Sequence, residues 1–211
     1  MISKIFNIDC VEYMRTIPDK FFDLAVCDPP YGINAGKMTM GSGVNRSYAH
    51  DKDWDAGIPG PEYFEELFRV SREQIIFGGN YFPLPLSEDW IVWDKMNDGR
   101  SFSEAELAWC SIHRKMRIFH FRTTTPVRGG KIHPTQKPIE LYSWIFTNYA
   151  RGGQRYSTLT SVPVHQESPL IMPVWIFTDV KSTRSISRRR NRDSNANIAE
   201  SILSAERKSN N

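Results

Sequence analysis

One tetrad in the chain has the makings of a reaction site: Asp28-Pro29-Pro30-Tyr31, set directly after the apolar run Phe22–Cys27. A residue before proline is pushed to extended geometry, so Asp28 continues the strand to its carboxyl end. Two prolines then fix the backbone and remove two N–H donors. What remains is an acceptor-only patch, the Asp28 carboxylate and nearby carbonyl oxygens, with the aromatic face of Tyr31 beside it. Such a patch suits a planar substrate that carries an amino group. The carboxyl ends of strands are also where open α/β sheets bind ligands. The competing reading is a plain strand-ending turn.

The surrounding pattern supplies strands and helices to hold that corner. Ile2–Ile8 is a short β-rich run, and Asp9 is placed to cap a helix over Cys10–Thr16. Pro61 opens a helix to Val70 with Tyr63, Phe64, Leu67 and Phe68 on one face. Strands are expected at Gln74–Phe77, Trp90–Trp93, Glu106–Ile112 and Arg117–Phe121, and a helix from Pro138 through Tyr149. Alternation of this kind predicts an α/β domain with a mainly parallel sheet. Residues 33–60 lack periodicity and read as a long loop, functional or mobile.

Composition excludes several classes. The chain has 211 residues, 40% hydrophobic and 24% charged, which is globular and neither disordered nor fibrous. No apolar run is long enough to span a bilayer and the start lacks a signal-peptide layout, so the expectation is a cytoplasmic protein with no membrane partner. Three cysteines, Cys10, Cys27 and Cys110, never fall at CxxC spacing, so neither a disulfide framework nor a metal site is expected. Residues 1–155 balance their acidic and basic groups, and the net charge of +3 comes from the remainder. The basic stretch Arg114-Lys115-Met116-Arg117, with Arg122 and Arg128, reads equally as a phosphate-contacting or a solvated face.

A second motif, His133-Pro134-Thr135-Gln136-Lys137-Pro138, leads into the last expected helix. Together with Asp28-Pro29-Pro30-Tyr31 it resembles the amino-methylating DNA methyltransferases that use S-adenosylmethionine. Asn7-Ile8-Asp9-Cys10 is similar to the family's acidic segment near the cofactor's adenine, and Gln74 through Tyr81 to its next core strand. The order of motifs resembles the family's β group, over residues 2–155. The resemblance implies a Rossmann-like fold, catalytic residues Asp28, Pro29, Pro30 and Tyr31, and cofactor contacts from Asp9, Cys10, His133, Thr135, Gln136 and Lys137. It implies double-stranded DNA as substrate, with residues 95–130 as the target-recognition region. A cognate restriction endonuclease and a homodimer are the partners it brings to mind. In that family Asp before the two prolines goes with adenine N6, so the resemblance implies N6 methylation. The alternatives are cytosine N4 methylation, or a relic that binds DNA without modifying it.

The family pattern also requires an apolar strand ending in a glycine loop soon after the Pro138 helix. No glycine follows Gly153. Reading the third base of each codon with the first two of the next permits Leu-Asp-Thr-His-Leu-Gly-Ser-Gly across residues 156–164, the missing loop at the required place. A frameshift near codon 156 accounts for this. The expectation is therefore a catalytic domain over 1–155, a sheet incomplete at the cofactor-loop strand, and an aberrant, poorly ordered tail over 156–211. Such a chain is expected to bind S-adenosylmethionine poorly and to lack activity as written.

Overall fold

The computed structural model describes residues 2–37, 53, 55–99, 103–113, 115–122, 137–151, 154–160 and 171–178. Its strands are β1 (Ile2–Asp9), β2 (Phe22–Asp28), β3 (Ser71–Phe77), β4 (Trp90–Asp94), β5 (Ala105–Cys110), β6 (Arg117–His120), β7 (Arg155–Thr160) and β8 (Ile171–Thr178). Its α-helices are α1 (Cys10–Arg15), α2 (Pro61–Val70) and α3 (Ile139–Tyr149).

Local chemistry explains the helix ends. Asp9 Oδ1 accepts from the backbone N–H groups of Val11 and Glu12, both at 2.9 Å, and so starts α1. α2 begins on Pro61, whose missing N–H costs nothing at a first helical position. It turns Tyr63, Phe64, Leu67 and Val70 inward. Ser71 then passes straight into β3, its hydroxyl donating to the Leu67 carbonyl at 2.5 Å. α3 buries Leu141, Tyr142, Ile145, Phe146 and Tyr149.

All eight strands join one sheet in the order β1-β8-β7-β2-β3-β5-β4-β6. β5 runs against β3 and β4, and β8 runs against β1 and β7, while the other six strands share a direction. The sheet is thus mostly parallel in orientation, as the alternation of elements predicts. β2 lies between two parallel neighbours, β7 and β3. Its side chains alternate between two cores. Leu24 and Val26 join Ile75, Phe77 and the inner face of α3 on one side. Ala25 and Cys27 join Ile76, α1 and α2 on the other. Burial on both faces is what the unbroken apolar run of β2 requires.

One expectation is corrected. The sheet has no vacancy beside β2, because β7 pairs along it from Leu24↔Tyr156 to Asp28↔Thr160. Residues 156–160 and 171–178, assigned by the sequence to a poorly ordered tail, are strand. Packing supplies what apolar periodicity does not show. The Tyr156 ring lies 5.7 Å from that of Phe146 in α3, its hydroxyl donates to the Arg151 carbonyl at 2.5 Å, and the Arg155 N–H donates to Asp23 at 2.8 Å. Residues 179–211 lie outside the described residues.

Candidate active site

Asp28 stands at the carboxyl tip of β2, and Pro29 and Pro30 behind it are buried. Its Oδ1 accepts from the Tyr31 hydroxyl at 2.9 Å and from Lys137 Nζ at 2.9 Å, and its Oδ2 accepts from the same ammonium at 3.1 Å. Lys137 also donates to the Tyr31 oxygen at 3.1 Å and sits 5.3 Å from the centres of the Tyr31 and Phe77 rings.

A second carboxylate stands behind the lysine. Glu106 Oε2, from β5, is 3.0 Å from Lys137 Nζ as an ion pair without hydrogen-bond geometry. Glu106 Oε1 is 2.7 Å from Lys95 Nζ, just past the end of β4. Lys95, Glu106, Lys137 and Asp28 therefore alternate in sign, and their charges sum to zero when all are ionised. The Lys137 side chain is only 3% exposed, so these contacts are not diluted by water.

The electrostatics follow from burial and pairing. Burial pushes the Asp28 carboxyl above the usual aspartate range, and Lys137 works against that push. Burial disfavours charge on Lys137, but Asp28 and Glu106 outweigh it and hold the ammonium above the usual lysine range. Burial and the Asp28 charge keep the Tyr31 hydroxyl far up, so it remains a protonated donor to Asp28.

Tyr31 is held on several sides. Its ring stacks on Tyr81 with centroids 5.1 Å apart and planes at 14°. Gly78, at φ +67°, lies against it, and a Cβ there would fall 2.3 Å from Tyr31 Cε1. Only glycine fits that position. The backbone is fixed by Asp55, a buried carboxylate that accepts from four N–H groups: Tyr31 at 2.6 Å, Gly32 at 3.0 Å, Ile33 at 3.2 Å and Ala35 at 2.9 Å. Tyr31, expected to offer an aromatic face beside the acceptor patch, is engaged on its own chain. Its hydroxyl is drawn to Asp28 and Lys137, and its ring lies on Tyr81, which is itself 43% exposed.

The sequence-predicted residues do not all converge. Asp28, Pro29, Pro30, Tyr31 and Lys137 do. Lys137, assigned by resemblance to the cofactor set, stands on the Asp28 carboxylate. Asp9 ends β1, which two strands separate from β2, and its carboxylate is engaged in capping α1. The Cys10 thiol is buried in the core, and burial with the Asp9 charge pushes it up to about 12. His133, Thr135 and Gln136 lie outside the described residues. Asp55, Lys95 and Glu106 escaped the sequence reading. The available signal for Glu106 was a lone carboxylate between Ala105 and Leu107 in a strand; Asp55 lies in an aperiodic loop that offers none.

Comparison with known proteins finds a similarity to a curated protein. Over 193 aligned residues the chain is 26% identical to the Type II methyltransferase M.HinfI of Haemophilus influenzae. The chain is similar to a methyltransferase. The match covers 66% of this chain and 54% of that relative, so the chain spans about half the length of the curated protein it matches. No protein-family model matches the chain. With a methyltransferase as relative, the mixed α/β sheet is consistent with a Rossmann-like methyltransferase fold. Among the described residues no helix is long and apolar enough to cross a membrane.

Proposed function

We propose that the chain derives from a site-specific DNA methyltransferase acting on the exocyclic N6 of adenine, with its own activity weakened or lost through an altered C-terminal segment. The observation that carries this reading is the Asp28 carboxylate at the tip of a central parallel strand, next to a rigid, donor-free diproline. An adenine amine is a weak nucleophile because its lone pair is delocalised into the ring. Hydrogen bonds from that amine to Asp28 and to the Pro29 carbonyl favour a more tetrahedral nitrogen. To reach Asp28 the amine displaces one of the donors now on it, the Tyr31 hydroxyl or a Lys137 N–H. The base must also leave the duplex, at a cost of roughly a few kcal/mol. Tyr81, exposed and stacked on Tyr31, offers an aromatic surface to offset part of that cost.

The resemblance implies S-adenosylmethionine as methyl donor; of its expected contacts, His133, Thr135 and Gln136 lie outside the described residues and the other three are engaged within the chain. Asp9 caps a helix, Cys10 is buried, and the Lys137 ammonium is paired with two carboxylates. No glycine follows Gly153 to let a backbone approach the cofactor. A frameshift near codon 156 remains our account of this lack, and sequencing the gene there tests it. Double-stranded DNA, a cognate restriction endonuclease, a homodimer and a cytoplasmic setting belong to the same proposal.

The test compares the chain as written with a version carrying the restored frame. Each is incubated with DNA and radiolabelled S-adenosylmethionine, and the DNA is digested to nucleosides. The expected result is N6-methyladenine from the restored protein, none from its Asp28→Ala variant, and little or none from the chain as written. N4-methylcytosine moves the assignment to the other base. DNA retention in a mobility shift, with no methylation by the restored protein, supports the non-catalytic relic. No methylation and no DNA binding by either protein overturns the reading.

A further inference from the structure

We propose that Glu106 is a positioning residue that acts through Lys137 to set how strongly Asp28 accepts a hydrogen bond, an inference resting on the reading of Asp28 as acceptor for the base amine. Glu106 reaches the site from β5, on the far side of β3 from β2, and Lys137 is what joins it to Asp28. Its two oxygens are divided, Oε1 toward Lys95 at 2.7 Å and Oε2 toward Lys137 at 3.0 Å. A carboxylate turned in from a strand toward other side chains carries a desolvation cost that pairing must offset. Lys95 alone would satisfy one oxygen; the other is aimed at the lysine that holds the catalytic candidate.

The consequence is a shared cation. Lys137 contacts both Asp28 oxygens, the Tyr31 oxygen and Glu106. While Glu106 is ionised, the positive charge is divided between two carboxylates, and Asp28 retains acceptor strength for an incoming N–H. With Glu106 neutral, that charge bears on Asp28 alone and its oxygens become weaker acceptors. Lys95 works in the opposite direction, drawing Glu106 away from Lys137. Among the described residues the further titratable groups acting on the pair include Tyr142 of α3 and Tyr63 of α2, both phenols.

The test is a titration of the full chain, without DNA or cofactor. The Asp28 side-chain carboxyl carbon and the Lys137 ammonium are followed by NMR in the parent, in Glu106→Gln and in Lys95→Met. Glu106→Gln is expected to lower the Asp28 midpoint by about one pH unit, a tenfold change in proton affinity, and to move the Lys137 ammonium signal. Lys95→Met is expected to raise the Asp28 midpoint. Loss of structure would not produce opposite shifts. An unchanged Asp28 midpoint in both variants, or shifts of the same sign, overturns the inference. Methyl transfer by the restored-frame protein decides the underlying reading separately, since the titration needs no turnover.

Discussion

Lys137 Nζ stands 2.9 Å from Asp28 Oδ1 and 3.1 Å from Oδ2, although 109 residues of chain separate them. The contact joins the carboxyl tip of β2 to the turn that starts α3. It gives the acidic corner a cation that the local sequence does not provide.

Removing that cation leaves two carboxylates facing each other in a largely dry site. Lys137→Met is expected to destabilise the fold by about 3–5 kcal/mol, the scale of breaking a buried pair. Lys37→Met removes the exposed pair with Asp53 and is expected to change stability by less than about 1 kcal/mol. Urea denaturation of both variants checks the contrast; equal small effects would mean that Lys137 is not needed where it stands.

Asp55 organises the backbone that follows the diproline. Asp55→Ala strips a charged acceptor from four N–H groups, in Tyr31, Gly32, Ile33 and Ala35. The expected loss is about 2 kcal/mol or more. Hydrogen exchange should show these four amides losing protection together, while the amides of β2 keep theirs.

Glu106 gives the fold an acid-sensitive contribution. Burial opposes its charge, but Lys137 and Lys95 hold its carboxyl below the ordinary value of 4.5. A lowered carboxyl stabilises the folded state above its unfolded value and loses that contribution as pH falls through its folded value. The difference in melting temperature between the parent and Glu106→Gln should thus be full at neutral pH and shrink below 4.5. Asp28 has the opposite sign, since burial raises it and its ionisation opposes folding as pH climbs. A gap that stayed constant on acidification would contradict the pairing.

The cysteines offer a chemical check on the core. Cys10, Cys27 and Cys110 are all buried, and none of them forms a disulfide. With its thiol buried and pushed up to about 12, Cys10 holds so little thiolate between about pH 7 and about 9 that its native alkylation should stay far slower than that of an exposed thiol. Mass spectrometry after iodoacetamide treatment, native and in denaturant, measures this. Rapid native labelling would place Cys10 outside the core.

Much of this architecture was legible before any coordinates. The Asp28 corner could be read because an apolar run, an aspartate and two prolines each act on their own neighbours. The Asp9 cap and the buried face of α2 are local in the same way. β7 was not legible, because Tyr156, Ser157 and Thr158 carry no apolar alternation and owe their burial to contacts with α3 and β2. Glu106 and Lys95 meet because β4 and β5 pair in a fixed register, with Trp93 opposite Glu106. Lys137 reaches Asp28 only through the packing of α3 on the sheet. Long-range registers of this kind leave no mark on a short window of sequence.

The order of synthesis gives the Asp28–Lys137 pair a further significance. The ribosome delivers the carboxylate first, and its cation arrives only 109 residues later. Until then β2 and β3 are able to pair, but the nascent strand tip bears a lone negative charge that favours contact with water. A chain stopped before residue 137 would display the tetrad without its countercharge.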